Sequence, residues 1–70
     1  MNWSIRCYNP HDGTTIRVMR YDDETTARIA FDTVCEDARK HGGGYELCLD
    51  GRWLTAFAVQ LQAGKGGGGS

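Results

Sequence analysis

Cysteine and histidine are the residue types in this chain best suited to bind a metal or to attack a substrate. They occur at five separated positions: Cys7, His11, Cys35, His41 and Cys48. Zinc sites are typically marked by Cys-x-x-Cys pairs or closely spaced histidines, and neither pattern occurs here. The short spacing from Cys7 to His11 crosses a predicted turn. We therefore predict no metal site, and we interpret the cysteines as small, partly buried thiols rather than a disulfide framework.

Two further stretches look superficially like pieces of enzyme active sites. HGGGY, residues 41–45, has the composition of an oxyanion-hole loop, but it ends a predicted helix and has no nucleophile elbow beyond it. DDE, residues 22–24, lies where its carboxylates can cap the same helix. A cysteine or serine nucleophile also needs a histidine within hydrogen-bond reach, and no spacing places one there. We predict a non-enzymatic protein with no catalytic residue and no cofactor.

The composition is that of one small globular domain. Of its 70 residues, 40% are hydrophobic and 24% are charged, the balance of a folded soluble chain. Eight Lys and Arg residues oppose nine Asp and Glu, so the net charge of −1 does not favour nucleic acid or anionic lipid. No segment approaches the roughly 20 apolar residues of a membrane span, and the N-terminus lacks the apolar run of a signal peptide. We expect a cytoplasmic protein without a membrane partner.

The chain ends in a glycine-rich stretch. Residues 66–70 read GGGGS, the repeat of flexible engineered linkers, with no side chain large enough to bury. We predict a single domain over residues 1–64 and an engineered flexible linker over residues 65–70.

The first half of the chain predicts a hairpin followed by a helix. Apolar and polar residues alternate over 3–7 and again over 16–19, and NPHDG between them is rich in turn-forming residues. From about Asp23 to His41, alanines and larger apolar residues recur at helical spacing, with acidic residues at the start and basic ones at the end. Gly42 then favours a helix stop.

The second half predicts another hairpin, over residues 45–61, that turns at Asp50 and Gly51. A two-residue turn would pair Cys48 with Trp53, whereas a three-residue turn would pair Leu47 with Trp53. The three-residue turn is favoured, because it gathers these apolar side chains on one face: Tyr45, Leu47, Trp53, Phe57, Val59 and Leu61. The predicted fold is therefore α+β, in the order ββαββ, with one helix packed on one face of a four-stranded antiparallel sheet.

The opposite sheet face is the candidate functional surface. We expect it to carry odd positions of the second strand and even positions of the other three, so that Arg6 and Arg17 become cross-strand neighbours. Its apolar members are unusual for a bare sheet face, although scattered surface leucines and alanines need no special explanation. The candidate partner-binding residues are Arg6, Tyr8, Arg17, Met19 and Leu54.

Two resemblances bear on function. The stretch from Trp3 to Val34, WSIRCYNPHDGTTIRVMRYDDETTARIAFDTV, resembles the strand–turn–strand–helix pattern of the arm-binding domains of phage integrases, which implies a sheet that reads the major groove of DNA. In length, in its ββαββ order and in the LDGRWL hairpin of residues 49–54, the chain also resembles short proteins encoded by phages and mobile elements, including anti-CRISPR and host-inhibitor proteins. That resemblance implies a stoichiometric binder of a host protein.

Three functions remain open at this point. We favour a non-enzymatic protein-interaction module that binds a protein partner through the open sheet face or a sheet edge. The alternatives are a nucleic-acid-binding module and a homodimer joined through the sheet, whose partner is a second copy of the chain.

Overall fold

The computed structural model describes residues 1–60, which form four strands and one helix in the order ββαββ. The strands make one antiparallel sheet in the order β2-β1-β3-β4, which confirms the predicted α+β fold. Leu61, the expected domain end at residue 64 and the expected linker at 65–70 lie outside the described residues. The elements are β1 (Trp3–Tyr8), β2 (Thr15–Tyr21), α1 (Glu24–His41), β3 (Gly43–Leu49) and β4 (Arg52–Val59).

Helix α1 begins and ends where its capping residues predict. The carboxylate of Asp23 accepts a hydrogen bond from the backbone N–H of Thr26 at 2.9 Å, which satisfies a donor that the first turn cannot pair internally. At the other end, Gly42 adopts a φ of 80°, and its N–H donates to the carbonyl of Ala38 at 2.7 Å. Glycine enters this left-handed region without the steric cost that a Cβ imposes.

The core lies between the helix and the two central strands. Trp3, Ile5 and Leu47 supply the large buried side chains, and Ala27 packs against them from the helix. Alanine at the contact lets the helix approach the sheet closely, so that a short chain still buries aromatic and branched side chains. Because few large side chains of residues 1–60 are fully buried, each of them accounts for a large share of the stability.

In the first hairpin, the side of β2 that faces the helix is the opposite of the one that we expected. Ile5 pairs with Met19, which packs against the core, and Cys7 pairs with Arg17. Met19 and Arg17 therefore lie on the helix side, and Val18 and Arg20 take their places on the open face. The sequence pattern predicted the wrong face because β2 has apolar residues at both even-numbered and odd-numbered positions. Contact with Trp3 and Ile5 selects the longer Met19 and Tyr21, and leaves Val18 45% exposed.

The second hairpin turns through two residues, so the prediction of a three-residue turn was wrong. Asp50 and Gly51 both have positive φ, 51° and 80°, as a two-residue type I′ turn requires. Cys48 pairs with Trp53, which places the indole on the open face and leaves it 62% exposed. Asp50 also exchanges hydrogen bonds with the backbone of Asn2, at 2.9 and 2.8 Å, which hold the turn to the start of β1.

A β-bulge in β4 then returns the odd-numbered residues of the strand to the helix side, as we expected. Cys48 pairs with Trp53 and Leu47 with Thr55, so Leu54 is an extra residue between the two pairs. Beyond it Thr55, which pairs with the buried Leu47, lies on the helix side, followed on that side by Phe57 and Val59. One extra residue thus reconciles a tight turn with the placement of Phe57 and Val59, which are half-buried, on the helix side.

Candidate functional site

The open face is the side of the sheet that faces away from α1. Side chains alternate between the two faces of a strand, so residues paired across strands share a face. Pairing from β2 to β4 gives the open face three rows: Arg20, Ser4, Cys48 and Trp53; Val18, Arg6, Glu46 and Ala56; and Thr15, Tyr8, Gly44 and Ala58.

Arg6 is held in place at the centre of this face. Its Nη1 lies 3.1 Å from Oε1 of Glu46 on the neighbouring strand. Its Nε donates to Oγ1 of Thr15 at 2.7 Å, and its Nη2 donates to the carbonyl of Gly13 at 2.6 Å. The guanidinium also lies 4.9 Å from the centroid of the Tyr8 ring, within the range of a cation–π contact. Arginine side chains are usually flexible, and these contacts hold that of Arg6 in a single conformation.

Tyr8 lies over Gly44, its cross-strand partner. A Cβ added to Gly44 would stand 2.5 Å from Cε2 of Tyr8, which is closer than such atoms can approach. The missing side chain lets the ring lie on the sheet, where it shields the backbone of Gly44 and supports Arg6. An aromatic ring covering a strand glycine is a recognised way of offsetting the weakness that glycine brings to a sheet.

Apolar side chains border this polar centre on both edges. Val18 lies on β2, and Trp53 and Leu54 lie on β4, exposed by 45%, 62% and 44%. The open face therefore has a fixed Arg–Glu–Tyr centre between two exposed apolar margins.

The charges of the open face nearly cancel. Arg6 faces the carboxylate of Glu46, and Arg20 adds one positive charge in the row of Trp53. Burial raises the pKa of the Cys48 thiol, and the nearby carboxylate of Glu46 raises it further. Cys48 is therefore an uncharged thiol at neutral pH and contributes as a small apolar group.

The structure brings together part of the residue set predicted from the sequence. Arg6 and Tyr8 contact one another on the open face, and Leu54 is exposed at its β4 margin. The predicted pairing of Arg6 with Arg17 was wrong, because Arg6 pairs with Val18 in β2, and Met19 belongs to the core margin.

Sequence reasoning missed Val18 and Trp53. The signal for Trp53 was present, because Asp-Gly is a strong marker of a two-residue hairpin turn and predicts its pairing with Cys48. The position of Val18 had no such local marker.

A second concave region lies at the end of the sheet near the helix C-terminus. It is an open cleft of about 360 Å³ whose lining includes Cys7, His11, His41 and Tyr45. Burial raises the pKa of the Tyr45 hydroxyl, and its contact with Cys7 raises it further. Among residues 1–60, no group of three or more His, Cys, Asp or Glu side chains is placed to hold a metal ion.

Comparisons with known proteins add no relatives. No protein-family model, no curated protein and no solved structure gives a significant match to this chain. In the part of the chain that the structure describes, α1 is not long and apolar enough to cross a membrane.

Proposed function

We propose that this chain is a small, non-enzymatic protein-interaction module that binds one protein partner through the open face. The observation that supports it most is the fixed Arg6 between two exposed apolar margins, one of which presents Trp53. Trp, Tyr and Arg are the residue types that most often dominate binding energy at protein interfaces. Because Arg6 is already ordered, less conformational entropy is lost when a partner binds.

Different residues of the open face would contribute to binding in different ways. Trp53, Leu54 and Val18 would contribute by burial, since covering an exposed apolar side chain yields roughly 25 cal/mol per Å². Arg20 would orient the partner, because a charge at an interface guides association more than it adds affinity. The partner that fits has an apolar recess for the indole and a carboxylate near Arg20.

We expect the chain to bind its partner at a fixed stoichiometry and to block a surface of that partner. The resemblance to short phage and mobile-element inhibitors implies one copy bound to one host protein, covering a surface that the host protein uses. A cytoplasmic location belongs to this proposal. The three cysteines are free thiols in the described residues, as expected of a chain that works in a reducing compartment.

Matched surface variants test the proposal. W53D changes the open face, and I29D changes an equally exposed apolar residue on the helix, since Trp53 and Ile29 are both 62% exposed. Wild-type and variant chains would be immobilised in parallel, proteins bound from a lysate quantified, and the candidate partner purified for calorimetry.

The decisive result is direct binding at one-to-one stoichiometry. We expect W53D to weaken that binding at least tenfold, about 1.4 kcal/mol, and I29D to leave it unchanged. Equal binding by wild type and W53D, or loss in I29D alone, would rule out the open face as the interface.

Nucleic-acid binding is the second candidate, and it rests on Arg20 and Trp53 lying in one row of the open face. A cation on one edge strand and an exposed indole on the other suit a phosphate and a stacked base of one oligonucleotide that crosses the sheet. Labelled single-stranded and duplex oligonucleotides would be titrated at low and moderate salt. R20A should weaken binding and flatten its salt dependence. R17A, which alters an arginine on the helix side, is the control and should do neither.

A further inference from the structure

The two edges of the sheet differ in how they are protected from pairing. Edge strand β2 carries Arg17 and Arg20 and has an irregular pairing at Ile16, features that discourage another strand from adding to it. Edge strand β4 has such features only at its start, where Arg52 is charged and Leu54 forms the bulge, and its segment beyond the bulge has neither. From Trp53 to Val59 it reads WLTAFAV, with no charged residue, no proline and no glycine. Such a strand on an edge is a template for pairing.

The regular part of β4 matches itself. Beyond the bulge at Leu54, Thr55, Phe57 and Val59 share the helix side, and Ala56 and Ala58 share the open face. An antiparallel pair of two such strands centred on Phe57 would place Thr55 opposite Val59 and Ala56 opposite Ala58. Each of these pairs shares a face, as sheet pairing requires, and none contains a charge.

We propose that β4 pairs antiparallel with β4 of a second copy, in the register centred on Phe57, to form a continuous eight-stranded sheet. An uncharged strand with the same alternation suits this edge best, and the segment of β4 beyond the bulge has that character, whereas β2 carries Arg17 and Arg20. A net charge of −1 for each chain opposes association only weakly. The proposal goes beyond the open-face interface, because it uses a strand edge and leaves both open faces on one side of the joined sheet.

The surroundings of Phe57 fit this pairing. Its ring is half-buried, and the guanidinium of Arg39 lies 5.2 Å from its centroid on the helix side. Arg39 in turn pairs with Glu36, so its charge is balanced within each copy. The paired rings would lie under two such arginines, away from the open face.

Self-association should depend on concentration, because five paired residues on each copy form a contact smaller than a standard protein interface. Sedimentation equilibrium over a wide concentration range should show the mass rising from 7.7 kDa toward twice that value. Hydrogen exchange at the amides of 55–59 should slow over the same range. A constant monomer mass, or protection of 55–59 that does not change with concentration, would overturn the proposal.

Charge variants test the register. Ala56 and Ala58 are both exposed, so charged side chains can replace them within one copy. In A56K/A58K, each new lysine faces a lysine of the second copy, and we expect a monomer at every concentration. In A56K/A58E, each new lysine faces a glutamate, and we expect dimerisation at least as strong as that of the wild type.

The control is V18K, which adds a charge to the other edge strand and should dimerise like the wild type. Circular dichroism of each variant would establish that it is folded. Equal behaviour of the two double variants, or loss of the dimer in V18K, would contradict the β4 pairing. Neither result depends on whether the open face binds a protein partner.

Discussion

The ring of Tyr8 lies on the backbone of Gly44, and the absence of a side chain at Gly44 is what allows it to lie there. Any Cβ at this position would come within 2.5 Å of the ring. The same ring supports the guanidinium of Arg6, so the centre of the open face depends on a glycine one strand away. This dependence can be measured.

Replacing Gly44 with alanine should destabilise the domain. The new methyl group must displace the Tyr8 ring, and overpacking of this kind costs roughly 1–3 kcal/mol. Urea unfolding of G44A against the wild type would measure the cost. The control is the same substitution in a Y8A background, where the methyl group meets no ring and should cost little. An equal cost in both backgrounds would show that the ring does not lie on Gly44.

Truncation of two leucines on adjacent strands should change the unfolding free energy by very different amounts. Leu47 is 1% exposed, and Leu54 is 44% exposed in the bulge. L47A should lose about 2–5 kcal/mol of unfolding free energy, because it leaves a cavity in a small core. L54A should change the unfolding free energy by less than about 0.5 kcal/mol, and L54D should also fold. Unfolding of L54D would mean that Leu54 belongs to the core and that the bulge is misplaced.

The two tryptophans should differ in their access to solvent. Trp3 is 4% exposed beneath Arg28, whereas Trp53 is 62% exposed. Acrylamide should therefore quench most of the Trp53 emission and little of the Trp3 emission. W53F, which retains only Trp3, should show blue-shifted and poorly quenched fluorescence. Strong protection of both tryptophans would place Trp53 under the helix, as a three-residue turn requires.

Stability should fall at acid pH through the helix cap. The hydrogen bond from the backbone N–H of Thr26 lowers the pKa of the Asp23 carboxyl, and the hydroxyl of the same residue lowers it further. A lowered folded-state pKa means that the contribution is complete above the unfolded value, near 4, and is lost as pH falls through the folded value.

The matched variant for this effect is D23N. Asparagine also caps helices well, so D23N should remain stable at neutral pH while its acid dependence becomes shallower. Some dependence should remain, because hydrogen bonds from Thr14 lower the pKa of Asp12 as well. Thermal melts between pH 2 and pH 7 would compare the two proteins. Identical pH profiles would show that Asp23 does not cap α1 as a carboxylate.

The sequence alone was sufficient to predict the helix, the order of elements and three of the five candidate residues of the open face, Arg6, Tyr8 and Leu54. The helix follows from local signals: Asp23 and Gly42 lie at its ends, and apolar residues recur along one side of it. Arg6 and Tyr8 were found because β1 alternates cleanly, with Trp3 and Ile5 as unambiguous core residues. In each case one short segment contains enough information to determine its own conformation.

Only the tertiary structure decided which sides of the edge strands face the helix. Both β2 and β4 have apolar residues at even-numbered and at odd-numbered positions. Alternation by itself therefore permits two phases, in which either set of side chains faces the helix. Met19 is selected by contact with Ile5 across the sheet. Trp53 is placed by the turn before it, and the bulge at Leu54 then reverses the phase. An edge strand has one neighbour and little burial of its own, so its phase is set by that neighbour and by the turn that leads into it.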